Sequence, residues 1–323
     1  MKTLQRSLIA LLTLIVFTCR KPEKPWKLPE QPIGRIIEAK LGVEYDTVVF
    51  ISLEQGKTHS VLRREWDLAV RPYAGNYAIE LNAAMYAFAA ELSQEEWQNL
   101  QEARRDLPWR CDLADTLALA PLQSGETRYL LLDRDRSEVF YKQPQQRFYK
   151  IALARSDREI TIFATSIRGG DTLRWRFPLS TDPLYLSLNK PSGITSILPP
   201  WHSEIILTRY IHPFYDQPEE FRWYPVLGAL CGEGVEVAVV RSNQVPYDQM
   251  DYNKARSLTY TSKRNAIGYE WKRYDFGTGT YQIDFSRYFV IRRGTLTYYK
   301  FRFLDFYDNQ GRKGTVKLEY EPL

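Results

Sequence analysis

A strand–turn–strand block that occurs twice, each time after the same upstream blocks, constrains this chain most. Tyr129-Leu130-Leu131-Leu132 leads through a turn to Phe148-Tyr149-Lys150-Ile151-Ala152-Leu153. Tyr288-Phe289-Val290-Ile291 leads past Gly294 to Tyr298-Tyr299-Lys300-Phe301-Arg302-Phe303. Apolar and polar residues alternate through 299–303, the period-2 mark of a half-buried strand. Upstream, Val49-Phe50-Ile51-Ser52-Leu53 precedes a glycine, then Glu65-Trp66-Asp67-Leu68-Ala69-Val70 and Tyr73. Leu184-Tyr185-Leu186-Ser187-Leu188 likewise precedes Gly193, then Glu204-Ile205-Ile206-Leu207 and Tyr210. Trp66-Asp67 of the first copy becomes Ser203-Glu204 in the second. Blocks recurring in one order predict an internal duplication.

The rest of the chain fits β structure. Aromatic residues make up 14% of it, with 22 Tyr, a residue suited to half-buried strand positions. One helix is expected. Ser93-Gln94-Glu95-Glu96 is a capping-box pattern, with Trp97 and Leu100 on one face and an end by Pro108. Pro183 forces the residue before it toward extended geometry, which sets a boundary near Thr181-Asp182. The expected fold is all-β: two tandem antiparallel β domains, 33–181 and 182–323, with one short helix in the first.

The first residues read as an export signal. Lys2 and Arg6 precede an apolar run over 8–17 that is too short to span a bilayer, and Cys19 follows. This looks like a bacterial lipoprotein signal, with a signal peptide over 1–18, lipid on Cys19 and a Pro-rich charged tether over 19–32. The expected location is the outer membrane, on its periplasmic or cell-surface face. Cys111 and Cys231 remain; export permits a bridge between the two halves, and buried free thiols are the other reading.

Composition narrows the function. The net charge of +5 comes from interleaved Lys, Arg, Asp and Glu, without the basic stripe that nucleic acid requires. There are three His, namely His59, His202 and His212, and no nucleophile elbow, HExxH, P-loop or GxGxxG pattern in the mature chain. No CxxC pair offers a zinc site. A predicted strand over 205–210 separates His202 from His212 by some 30 Å, at ~3.3 Å per residue, too far to share a metal. They read as loop histidines with surface hydrogen bonds. A binding protein is expected, not an enzyme.

The C-terminal half resembles the HmuY family of haem-binding lipoproteins of Gram-negative bacteria. The resemblance rests on Leu207-Thr208-Arg209-Tyr210, Tyr224-Pro225-Val226-Leu227-Gly228-Ala229-Leu230, Gly234-Val235-Glu236-Val237-Ala238 and Ile267-Gly268-Tyr269-Glu270-Trp271-Lys272. Its most specific part is Tyr299-Lys300-Phe301-Arg302-Phe303-Leu304-Asp305-Phe306-Tyr307 with Gly311-Arg312-Lys313-Gly314-Thr315-Val316. The N-terminal half carries a weaker version in Trp66-Asp67-Leu68-Ala69 and the Tyr149-Lys150 hairpin. The resemblance implies an all-β domain that holds haem between two loops, with axial His or Met on the iron. The corresponding loops here are 244–252 and 275–279, and neither contains His. The candidate cofactor residues are therefore Met250 and, as a second choice, Tyr247. Haem or a haem-carrying protein is the implied partner, and iron acquisition the implied role. The alternative is a non-haem module that binds a glycan, a peptide or a partner lipoprotein. An apolar pocket near Met250 would favour haem, and an exposed aromatic patch would favour the alternative.

Overall fold

Alternating apolar positions give each strand a face that must be buried, and face-to-face sheets are the simplest way to bury it. The computed structural model describes residues 34–170 and 172–323; the export signal, Cys19 and the tether lie outside the described residues. The strands are β1 (Arg35–Lys40), β2 (Thr47–Ser52), β3 (Lys57–Leu62), β4 (Leu68–Tyr73), β5 (Asn76–Leu81), β6 (Phe88–Leu92), β7 (Trp109–Arg110), β8 (Thr127–Asp133), β9 (Phe148–Arg155), β10 (Glu159–Ser166) and β11 (Leu173–Pro178). They continue as β12 (Leu184–Leu186), β13 (Ile194–Thr195), β14 (Ile205–Pro213), β15 (Trp223–Cys231), β16 (Val235–Arg241), β17 (Lys272–Asp275), β18 (Thr280–Ile283), β19 (Arg287–Arg293), β20 (Thr297–Tyr307) and β21 (Lys313–Pro322). The fold is all-β, with short helices α1 (Gln94–Asn99), α2 (Pro144–Arg147), α3 (Glu219–Arg222) and α4 (Tyr252–Arg256) between strands. The expected capping box is formed at α1: Ser93 accepts from the Glu96 N–H, and Glu96 accepts from the Ser93 N–H.

Two lobes result. In lobe 1 the sheet β11-β10-β9-β8-β6-β7 faces the sheet β13-β12-β4-β5 across a core that includes Leu68, Ile79, Leu132, Ile162 and Leu186. In lobe 2 the sheet β1-β21-β20-β19-β16 faces β15-β14-β2-β3 across a core that includes Ile51, Leu207, Phe289, Phe301 and Leu318. The sheets correspond strand for strand: β11-β10-β9-β8-β6 with β1-β21-β20-β19-β16, and β13-β12-β4-β5 with β3-β2-β14-β15.

The correspondence reaches single residues. Asp67 and Glu204, matched in the sequence, are both buried. The Asp67 N–H donates to Leu186 O, and its carboxylate accepts from the Leu188 N–H at 2.7 Å and from Arg134. The Glu204 N–H donates to Ile51 O, and its carboxylate accepts from the Leu53 N–H at 2.7 Å and from Arg293. Each carboxylate satisfies a backbone donor at a strand end that would otherwise be buried without a partner.

These pairings overturn the expected boundary at 181/182. Asp67 belongs to the first half of the chain, yet the strand it caps is β12, from the second. Glu204 belongs to the second half, yet it caps β2, from the first. β12 pairs with β4, β2 with β14 and β1 with β21, so lobe 2 takes β1, β2 and β3 from the first half and lobe 1 takes β12 and β13 from the second. Residues 33–323 accordingly form one compact unit. Cys111 and Cys231 are free thiols, and burial pushes them up to about 12 and about 11.

Candidate functional site

The outer face of each large sheet is covered by the segment that follows β6 or β16. Over lobe 1 the cover is α1 and residues 100–109, with Trp97 and Leu100 packed against Ala90, Leu131 and Phe148. Over lobe 2 it is residues 245–260, with Tyr247 and Met250 packed against Val240, Tyr288, Val290 and Tyr298. A buried lysine fastens each cover. Lys150 Nζ donates to Gln98 O (3.1 Å) and Leu100 O (3.3 Å), 4.9 Å from the Trp97 ring centroid. Lys300 Nζ donates to Tyr247 O (3.0 Å) and Met250 O (3.5 Å), 4.6 Å from the Tyr247 ring centroid.

This comparison places both candidate cofactor residues. Met250 is 2% exposed and fills a gap between aromatic rings, as Leu100 does in lobe 1. Tyr247 is buried as well; its hydroxyl has no hydrogen-bond partner among the described residues, and burial raises its pKa. The two residues lie together in one cluster, but as cover residues whose donor atoms do not face solvent.

The second implied loop, 275–279, is the turn of the β17–β18 hairpin. Asp275 Oδ1 accepts from the Gly277 N–H at 2.8 Å, and Gly279 adopts φ +69°, which tightens the turn. The Gly277 N–H holds the Asp275 carboxyl below its ordinary pKa. Phe276 projects from the tip, 90% exposed. Tyr274 meets it edge-on at 5.1 Å and meets Tyr281 at 5.0 Å; Tyr281 in turn meets Phe306 at 5.0 Å. Phe306 belongs to the lobe 2 core, so a run of rings leads from the core to solvent. Beside it opens a cavity of about 470 Å³, walled by Tyr274, Tyr281 and Tyr307, with Lys313 at its edge.

A second cavity of about 520 Å³ adjoins the base of the hairpin and is lined in part by Tyr269, Lys272 and Arg273. Tyr269 also packs on His212, at 5.1 Å. His212 lies on β14, not in a loop. Its Nδ1 is buried without a hydrogen-bond partner among the described residues, and burial lowers its pKa. His202 does make surface hydrogen bonds, to Glu233 O and more loosely to Glu204. Around the end of the β14–β15 hairpin, Tyr215, Phe221 and Tyr224 are exposed. No group of three or more His, Cys, Asp and Glu is placed to hold a metal among the described residues. No helix among them is long and apolar enough to cross a membrane.

A family model described as HmuY protein matches residues 44–320. The chain belongs to the HmuY family. The match spans both lobes and starts within the strands that lobe 2 takes from the first half of the chain. No curated protein matches the chain. Among solved structures, apo PinO from Porphyromonas gingivitis is 10% identical, covering 91% of this chain and 98% of its own, with a TM-score of 0.27. A protein from Bacteroides vulgatus ATCC 8482, named as a candidate HmuY-like heme-binding protein, is 11% identical, covering 91% and 97%, with a TM-score of 0.24.

Proposed function

We propose that this HmuY-family protein is an exported outer-membrane lipoprotein that captures haem, free or from a haem-carrying protein, for iron acquisition. The observation that supports this best is the aromatic cavity beside the β17–β18 hairpin, in the second of the two loops implied by the resemblance. Haem is a large apolar plane with carboxylates on one edge. Tyr274, Tyr281 and the exposed Phe276 offer ring surface to the plane, and Lys313 offers a cation to a propionate. The donor atoms that this wall offers to iron are tyrosine oxygens, hard donors that favour ferric haem. Met250 is a soft donor that favours ferrous haem. For it to ligate, the 244–252 segment must release Lys300 and swing out.

A haemin titration followed by absorbance under oxidising and reducing conditions separates these cases. Binding in the cavity predicts a Soret shift that is strongest for ferric haem, weakened by Tyr274→Phe or Phe276→Ala and kept by Met250→Ala. A shift seen only on reduction and lost in Met250→Ala would move the ligand to Met250. A spectrum equal to that of free haemin in both redox states would remove the haem role. It would leave the second reading, a non-haem module for a glycan, a peptide or a partner lipoprotein, which the exposed Tyr215, Phe221 and Tyr224 favour.

Membrane attachment through Cys19 is part of the same proposal, and the apolar run that ends near this cysteine supports it. Cys19→Ala should abolish incorporation of labelled fatty acid and shift the protein out of the membrane fraction. Unchanged partitioning would refute the anchor.

A further inference from the structure

Arg63 opens a short 3-10 turn between β3 and β4, where the chain passes from lobe 2 to lobe 1. Its side chain is 2% exposed. Nη1 donates to Ala84 O at 3.0 Å, while Nε is buried without any partner among the described residues. Ala84 lies in the 3-10 turn Ala83–Met85, and β14 packs against that turn. β14 carries Arg209, which is half-buried and has no hydrogen bond, ion pair or ring contact from its side chain among the described residues.

Two more arginines converge on the same place. The Arg64 and Arg63 guanidinium carbons lie 5.4 and 4.8 Å from the Phe140 ring centroid. The Arg136 N–H donates to the carbonyl of Tyr86, the residue next to the 83–85 turn, and its guanidinium stacks on Phe88 at 4.3 Å. Among the described residues none of the four has a carboxylate within ion-pair distance. Nearby, by contrast, Arg134 is paired with Asp67 at 2.7 Å and Arg147 with Asp133 at 2.7 Å. Among the described residues, Asp135 is the carboxylate that acts on both Arg63 and Arg209. Its oxygens already accept from Ser137 Oγ (2.6 Å) and from the N–H groups of Phe140 (2.7 Å) and Tyr141 (3.2 Å).

Guanidinium groups held together out of water repel one another and lose hydration, a cost that an anion between them removes. Burial and the nearby Arg209 charge lower Arg63 to about 10, the direction that uncompensated positive charge gives. We propose that Arg63 and Arg209, with Arg64 and Arg136 at the rim, bind an oxyanion group of a ligand that docks where the two lobes meet. The group is a phosphate, sulfate or carboxylate, the planar or tetrahedral oxygens that the guanidinium fork matches. The site is independent of the haem cavity.

The test is thermal unfolding of the full chain in inorganic phosphate, sulfate or acetate, each against chloride at matched ionic strength. At least one oxyanion should give a saturable rise in Tm that chloride does not, and the anion that does so identifies the chemical class. Arg209→Gln should weaken that anion's apparent affinity about tenfold or more, the loss expected for a charge-assisted hydrogen bond. Its Tm in chloride, at or above that of the unaltered chain, would show that the fold survives. If that variant melts lower, Arg136→Gln, at an exposed position, carries the same test. The proposal fails if no oxyanion gives a saturable rise, or if the rise persists undiminished in the variant that folds.

Discussion

Lys272 is buried against the faces of Trp271, Tyr281 and Phe306, with its Nζ 4.5, 5.6 and 5.3 Å from their centroids. The Nζ donates to Leu227 O at 2.6 Å, and no carboxylate stands within ion-pair distance among the described residues. Burial therefore pushes it down from an ordinary value of 10.5 to about 7. Below pH 7 the folded and unfolded chains both hold the proton, and the folded chain carries the full cost of a buried ammonium. Between pH 7 and about 10.5 the folded chain has released the proton and the unfolded chain has not, so stability rises with pH. The slope approaches about 1.4 kcal/mol per pH unit for one proton. Lys272→Met should remove that slope and be at least as stable as the unaltered chain at pH 6, as read from urea midpoints. Equal slopes in the two proteins between pH 7 and pH 10 would show that Lys272 titrates normally. Nothing in the sequence separates Lys272 from the exposed lysines around it. Its burial comes from Leu227, Tyr281 and Phe306, which the fold brings in from other strands.

At the scale of elements, what local pattern determines was legible. Ser93 and Glu96 announce α1 because the capping box is a contact over three residues. The Tyr129 and Tyr288 blocks read as strands, and they are β8 and β19. The alternation through 299–303 also marks a strand, yet the inference of one wet face fails there. Phe301 and Phe303 enter the lobe 2 core, and Lys300 points the other way into a second, smaller cluster under residues 245–260. A lysine in a strand reads as a solvent position unless something covers that face, and the cover lies some fifty residues away. The same blind spot explains Met250 and Tyr247. A methionine in a polar loop and a methionine that closes a sheet look alike in sequence. The lobe 1 counterpart, Trp97 with Leu100 under Lys150, distinguishes them, because the same device recurs where no ligand loop is expected. The cluster of Arg63, Arg64, Arg136 and Arg209 was invisible for a related reason. It joins residues from three segments, each with an unremarkable local charge pattern.

At the scale of the molecule, the repeated blocks were legible but their partners were not. The blocks at 49–53 and 184–188 do correspond, as β2 and β12, but each completes the lobe built by the other half. Sequence order suggests that a half folds on itself, and only the register of β2 against β14 and of β12 against β4 shows the exchange. The lobes match strand for strand, with β1, β2 and β3 standing in lobe 2 where β11, β12 and β13 stand in lobe 1. One consequence separates this arrangement from two consecutive domains. A fragment of residues 182–323 lacks β1 and β2, so Leu207 and Leu318 lose the strands that cover them, and its large sheet ends on an unpaired β21 edge. It should show no cooperative unfolding transition. Lobe 2 can be restored in one chain, because Arg35 pairs with Tyr320 and the start of β1 therefore lies beside the end of β21. In lobe 1 a short connection already joins the equivalent strands, β10 to β11, which pair antiparallel. A permuted chain of residues 203–323, a short Gly-containing turn and residues 34–62 supplies every strand of lobe 2 in an order that lobe 1 already uses. It should unfold cooperatively in urea. Such a transition from 182–323, with none from the permuted chain, would mean that the halves fold as separate units and that the exchange of strands does not hold the molecule together.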